Sequence, residues 1–175
     1  KIVCVSECAK EAFLKLYPNY SGKVVVANNY IAGEDIINKS KLKVNDIKKE
    51  NIITFINVSR HDDMHKKVSR IIEATKKLND EKYKFRVILV GDGADHDKYI
   101  DMIKENNTKN IILTGSKKNP FPYYNISDAF VFSSAYEGYG IVLNEARVLN
   151  IPIITTDVAD AKLITDEGYG ILCEN

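Results

Sequence analysis

Glu137 and Glu145 stand eight positions apart, with Gly138-Tyr139-Gly140 between them. The run before them, Asp128-Ala129-Phe130-Val131-Phe132-Ser133-Ser134, is apolar in the manner of a strand. After Gly140, the residues Ile141, Val142, Leu143, Ala146 and Leu149 have the apolar spacing of a helix. A strand, a glycine turn and a helix start leave unpaired backbone N–H groups and a positive helix end where an anion can sit. Two carboxylates would repel a phosphate, but they are suited to accept hydrogen bonds from hydroxyls such as those of sugars. Gly138 and Gly140 allow close backbone approach. The N–H groups of Tyr139, Gly140 and Ile141 are then candidate donors to a diphosphate or to sugar hydroxyls. A site that takes phosphate and hydroxyls together points to a nucleotide sugar.

Other clusters have bland explanations. His61 and His65 are four apart beside Asp62 and Asp63, a metal-pair spacing, but they fall in a loop or a first helical turn. Asp95-His96-Asp97 sits at a helix start after Gly93, where the helix dipole favours acids. Cys4 and Cys8 have no second Cys/His pair at ligand spacing and read as small buried side chains. No metal is expected. Val90-Gly91-Asp92-Gly93 lacks the third glycine of a dinucleotide fingerprint, so a nicotinamide cofactor is a weak reading.

The elements that must position these residues alternate along the chain. Strands are expected at 2–5, 23–27, 52–58, 85–90, 111–113, 129–132, 153–155 and 170–173. Helices are expected at 7–16, 33–38, 66–78, 94–106, 120–126, 141–149 and 161–166. Continuous apolar runs such as Val87-Ile88-Leu89-Val90 mark strands buried on both faces, as in a parallel sheet. The alternation predicts an α/β fold, a doubly wound parallel sheet with helices on both faces. In such sheets ligands bind beyond the carboxyl ends of the strands, and Arg60, Gly91, Gly115 and Glu137 each follow a strand there. Polar residues dominate 39–51, which reads as a linker or hinge-side loop.

Composition sets the outer bounds. The 175 residues suffice for a domain with a sizeable core, at 45% hydrophobic and 28% charged. A net charge of +1 gives no global field to draw in nucleic acid. No apolar run approaches the roughly 20 residues of a membrane helix. Three cysteines suit a reducing compartment better than a disulfide framework.

The two-glutamate stretch resembles the E-x7-E signature of the retaining glycosyltransferases with two Rossmann-like domains, the GT-B type, glycosyl transferases group 1, family 4. Asn57-Val58-Ser59-Arg60, Lys66-Lys67 and Ile71-Ile72-Glu73-Ala74 resemble that family's strand, Arg, Lys and helix. Val90-Gly91-Asp92-Gly93, Thr114-Gly115, Tyr123-Tyr124, Ser127-Asp128-Ala129 and Pro152 with Thr155-Thr156-Asp157 resemble its later blocks, so the likeness runs over roughly 52–173. Val5-Ser6-Glu7, Tyr17-Pro18 and Ala27-Asn28-Asn29 resemble the end of the family's first domain and its crossover.

The resemblance implies one half of a GT-B fold. Residues 1–45 would end a first domain, and 46–175 would form a donor-binding Rossmann-like domain cut short at its C-terminus. It implies Glu137 at the transferred sugar and Glu145 on the ribose hydroxyls. Arg60 and Lys66 would hold the leaving diphosphate, Gly91 would lie in the glycine loop, and Gly115 with Ser116 would form the turn near the base. The family usually spaces its Arg and Lys five apart; here the spacing is six, which leaves Lys67 as an alternative. The implied activity is hexosyl transfer from a nucleoside-diphosphate sugar, UDP-linked for example, without a metal. The acceptor would be a glycan or lipid-linked sugar held by the first domain. A cytoplasmic setting follows, with peripheral contact at the inner membrane face, and the isolated piece is expected to be inactive. A nucleotide-sugar epimerase of similar fold and a non-catalytic nucleotide-binding module stay open beside it.

Overall fold

Apolar runs become strands here, and the amphipathic runs between them become helices. The structure, a computed structural model, describes residues 1–159 and 161–175, without the side chain of Glu167. In chain order the elements are β1 (Ile2–Cys4), α1 (Glu7–Leu16), β2 (Val24–Val26), α2 (Gly33–Ser40), β3 (Ile53–Val58), α3 (Val68–Asp80), β4 (Phe85–Val90) and α4 (His96–Glu105). They continue as β5 (Ile111–Gly115), α5 (Phe121–Asn125), β6 (Ala129–Phe132), α6 (Ile141–Val148), β7 (Ile153–Thr156), α7 (Ala161–Ile164) and β8 (Gly170–Cys173).

Six strands form one parallel sheet in the order β5-β4-β3-β6-β7-β8. Successive strand side chains point to opposite faces, and β4 is buried along its whole length. Its Phe85, Val87 and Leu89 join Val68, Ile71, Ile72 and Tyr99 of α3 and α4 in one apolar cluster. Its Ile88 and Val90 join Tyr124, Phe130, Phe132, Leu143 and Ala146 in the other. The two-sided burial read from the sequence is thus a core on each face of a Rossmann-like sheet. Each fully buried side chain of this size stabilises the fold by about 1.5–3 kcal/mol.

Three further features of the fold bear on the site. β1 and β2 pair with each other in a separate two-stranded parallel sheet. The polar stretch after α2 carries no helix or strand up to β3, yet it is tied down. Ile47 is buried, Asp46 accepts hydrogen bonds from Lys117 (2.6 Å) and Tyr123 (2.8 Å), and Arg86 donates to the Lys48 carbonyl (2.9 Å). Finally, Lys66 and Lys67 precede α3 instead of opening it. Lys67 takes a left-handed backbone (φ 50°, ψ 41°), which turns the chain into the helix.

Candidate functional site

The chain runs outward from β3 through β4 to β5, then returns to the other side of β3 with β6. The crevice at such a reversal, beyond the carboxyl ends of the strands, is where open α/β sheets bind ligands. Two loops meet there, one after β3 carrying Arg60 to Lys67 and one after β6 carrying Ser133 to Gly140.

Their main chains are strapped together by bonds between residues far apart in sequence. Ser133 Oγ donates to the carbonyls of Lys66 (3.0 Å) and Lys67 (2.9 Å). The Ala135 N–H donates to the His65 carbonyl (2.7 Å), and Thr156 Oγ1 donates to the Ser134 carbonyl (2.6 Å). The β3 loop is also pinned from beneath by Asp63. Burial alone would raise that carboxyl, but bonds from Lys98, Ser69 and Tyr99 hold it down at about 2. Held this way, Lys66 Nζ forms an ion pair with Glu137, whose carboxylate also accepts from Ser134 Oγ (3.0 Å). The two side chains are only 21% and 13% exposed, so the pair is better shielded than an ordinary surface pair, whose net value is about 0–1 kcal/mol. Lys66 Nζ also lies 5.9 Å from the Phe132 ring centroid.

Two cavities share this crevice. One, of about 510 Å3, is lined by Arg60, His65, Lys66, Ala135, Tyr136, Glu137, Gly138, Asp157, Val158 and Ala159. The other, of about 490 Å3, is lined by Val58, Ser59, Arg60, Val90, Gly91, Asp92, Ser116, Lys117, Pro120, Val142 and Glu145. Arg60 lines both, so it stands where they adjoin; its guanidinium is mostly exposed and bonds Asp62 (3.1 Å). The two glutamates of the sequence motif therefore face different compartments of one cleft. Arg60, Lys66, Glu137 and Gly138 border the first, and Arg60, Gly91, Ser116 and Glu145 border the second. Gly115, Tyr139, Gly140 and Ile141 are absent from both linings.

At the start of α6, Gly140 adopts a left-handed backbone (φ 72°, ψ 53°), which glycine holds without strain. Among the described residues, no group accepts the N–H of Tyr139, Gly140 or Ile141. Three consecutive backbone donors are thus unspent at the positive end of a helix. Glu145, on the second turn, is half-buried; burial pushes its carboxyl up, and no donor among the described residues bonds it. Gly91 is required by sterics. Its φ is +152°, and a Cβ there would lie 1.8 Å from the Ser59 carbonyl oxygen.

The histidines separate. His61 is buried, with Nδ1 2.8 Å from Nδ1 of His96 and the two rings stacked at 4.9 Å. Burial, then the neighbouring His96, lowers its pKa to about 4. His65 instead faces the first cavity, its Nδ1 held 2.9 Å from Asp62 Oδ2. Asp95 accepts the Asp63 N–H (2.7 Å), so it braces the β3 loop. Among the described residues, no three His, Cys, Asp or Glu side chains are grouped to hold a metal ion. Cys4 and Cys8 are free thiols, Cys8 exposed where a buried side chain was expected. Sequence reasoning missed His65 and Asp157 as cleft residues and the braces Asp63, Ser133 and Ser134. Asp63 and Ser133 bond partners more than thirty residues away, which no local spacing signals, whereas Ser134 bonds Glu137 only three residues on.

The model of the family described as Glycosyl transferases group 1 matches residues 36–175. An uncharacterized glycosyltransferase of Methanocaldococcus jannaschii is 36% identical over 88 residues, covering 50% of this chain and 22% of that protein. The N-acetylgalactosamine-N,N'-diacetylbacillosaminyl-diphospho-undecaprenol 4-alpha-N-acetylgalactosaminyltransferase of Campylobacter jejuni is 29% identical over 92 residues, covering 51% of this chain and 25% of that protein. The matched stretches, about half of this chain, therefore span about a quarter of the length of these curated relatives. Among solved structures, a glycosyltransferase from Rickettsia africae superposes with a TM-score of 0.84 at 22% identity, covering 99% of this chain and 49% of that one. The pneumococcal O-GlcNAc transferase GtfA, solved with UDP and GlcNAc, gives 0.71 at 21% identity, covering 99% and 33%. At these identities the structural likeness speaks to the fold.

Proposed function

The chain belongs to the glycosyl transferases group 1 family, and from that premise we propose that it is the donor-binding domain of a retaining glycosyltransferase. Its substrate is a nucleoside-diphosphate sugar, and its acceptor is a glycan or a lipid-linked sugar brought by a preceding domain. Residues 1–45 would belong to the end of that domain and its crossover. Support for this division comes from the separate β1–β2 sheet and from apolar side chains left exposed beside it, among them Leu16 and Val3. A setting at the inner membrane face belongs to the same proposal; among the described residues no helix is long and apolar enough to cross a membrane.

One observation carries the reading. The unspent N–H groups of Tyr139, Gly140 and Ile141 lie on the turn between two carboxylates, beside the cleft that holds Arg60 and Lys66. Backbone donors and cations suit a diphosphate, and carboxylates suit hydroxyls. In this reading the larger cavity takes the transferred sugar, with Glu137 accepting from its hydroxyls. The other cavity takes the nucleoside, with Glu145 on the ribose and the Gly91 and Gly115-Ser116 turns toward the base. Arg60, at the junction, and Lys66 meet the diphosphate.

The chemistry follows from charge. The acceptor oxygen bonds the anomeric carbon as the bond to the diphosphate oxygen breaks. The attack comes on the same face as departure, and the acceptor proton passes to the leaving phosphate. Negative charge grows on that phosphate, so cations placed there favour the transition state over the ground state. Lys66 is then shared between Glu137 and the phosphate. With two cations and a helix end in place, we propose that transfer is metal-independent. The test is turnover of the full-length enzyme. Arg60→Ala should lower it about 100-fold or more, and a chelator should leave the wild type active. Loss of activity on chelation, restored by a divalent ion, would overturn the charge assignment.

A further inference from the structure

We propose that Ser6 is a positioning residue for the donor turn, setting the direction of the Tyr139 N–H from outside the six-stranded domain; this rests on the reading of that turn as the donor site. Ser6 is fully buried, and its Oγ makes two bonds. It accepts the Ala9 N–H (3.0 Å) as the N-cap of α1, and it lies 2.7 Å from the Gly138 carbonyl oxygen, 132 residues away. A serine hydroxyl has one proton. The Ala9 amide must donate, so the hydroxyl proton goes to Gly138. The Gly138 oxygen has no other partner among the described residues.

That bond fixes a peptide plane. The described chain has no cis peptide bonds, and in a trans unit the C=O and N–H point in opposite directions. Drawing the Gly138 carbonyl toward Ser6 turns the Tyr139 N–H away from it, and that N–H is one of the unspent donors. The carbonyl also meets the positive end of α1, a ten-residue helix, which favours its partial negative charge. Without these interactions the peptide is free to rotate, and a carbonyl directed at a diphosphate would repel it. Two further contacts bracket the same turn from residues 1–45. Val5 Cγ2 sits 3.7 Å from where a Gly138 Cβ would be, and Tyr139 Oη is 3.5 Å from the Asn29 carbonyl. On its other side the turn is held by Lys66 and Ser134 through Glu137. Ser6 therefore links the placement of residues 1–45 to the donor geometry.

The test separates capping from positioning. Asn and Asp have the same shape and both cap helices well, but only Asn has a proton to give Gly138. In the full-length protein, Ser6→Asn, Ser6→Asp and Ser6→Ala are compared by calorimetric titration of UDP and GDP and by thermal midpoint. We expect Ser6→Asn to bind the preferred nucleotide within about twofold of wild type. Ser6→Asp should weaken it about tenfold, beyond what any lowering of its thermal midpoint accounts for, and Ser6→Ala should weaken it about as much as Asp. Asp binding as tightly as Asn would overturn the proposal, as would losses of affinity that merely track the thermal midpoint. If the wild-type protein binds neither nucleotide, the donor-site reading fails first and this inference falls with it.

Discussion

At the residue scale, the two glutamates share a motif but not an environment. Glu137 is neutralised by Lys66 and bonded by Ser134. Glu145 is half-buried beside the second cavity, with no bonding partner among the described residues. With Glu145 accepting from hydroxyls, as proposed, removal of this half-buried carboxylate should cost binding, not folding. Glu145→Gln keeps the shape and one acceptor oxygen, and should cost nucleotide affinity about 1–3 kcal/mol by titration, with the thermal midpoint held or raised. Glu137→Gln has a different signature. It releases Lys66 and leaves bare nucleotide binding nearly intact, while the turnover of the full enzyme falls. Equal loss of bare nucleotide affinity in both variants would contradict the division of the cleft into sugar and nucleoside compartments.

At the element scale, the loops after β3, β4 and β6 depend on backbone shapes that side chains disturb unequally. Gly140→Ala puts a Cβ at a left-handed residue, 3.0 Å from Leu143 Cδ1, and should cost about 1–2 kcal/mol. Gly91→Ala meets main chain at 1.8 Å, so the β3 and β4 loops must part. It should cost more than Gly140→Ala and should weaken nucleotide binding as well; a smaller loss of thermal midpoint than in Gly140→Ala would refute the steric account. The histidine stack under these loops adds a pH dependence. The His61 pKa falls from 6.5 to about 4 on folding, so the unfolded chain takes up that proton first. Its contribution is complete above 6.5 and is lost as pH falls toward 4. Asp63, held at about 2, keeps its contribution until pH drops below 3.8. Thermal midpoints should therefore decline between pH 6.5 and 4, with a shallower decline in His61→Gln. Much of this scale was legible in advance. The apolar runs gave the strands of the sheet, and Gly140 before an apolar helix gave the start of α6, because both depend on neighbours in sequence. The shape of the β3 loop was not legible. Lys67 is left-handed and Lys66 lies outside the helix because Ser133 and Ala135, nearly seventy residues away, bond that main chain. Within 39–51, expected as a linker or hinge-side loop, the stretch after α2 is a loop, but contacts that local sequence does not signal hold it: Asp46 bonds Tyr123 and Lys117, and the Lys48 carbonyl accepts from Arg86, while most of its other polar side chains stay exposed.

At the scale of the whole molecule, the six-stranded sheet carries both halves of the cleft proposed to take the donor, and residues 1–45 touch it at the Gly138–Tyr139 turn. The matched solved chains are two to three times as long as this one, with 49% and 33% of their length covered. An acceptor side and a closing surface are expected from the remainder of such a protein. The 175-residue chain alone should therefore bind nucleotide and transfer no sugar; appearance of a glycosylated acceptor with this chain alone would contradict that. The central claim is that the crevice between the β3 and β6 loops binds a nucleoside diphosphate through Arg60, the α6 start and Glu145. Calorimetric titration of UDP and GDP into wild type, Arg60→Ala and Glu145→Gln tests it most directly. The account predicts saturable binding of at least one nucleotide to wild type, weakened about fivefold or more in each variant without loss of thermal midpoint. Binding that is unchanged in both variants, or no binding of either nucleotide to the wild-type protein, would contradict it.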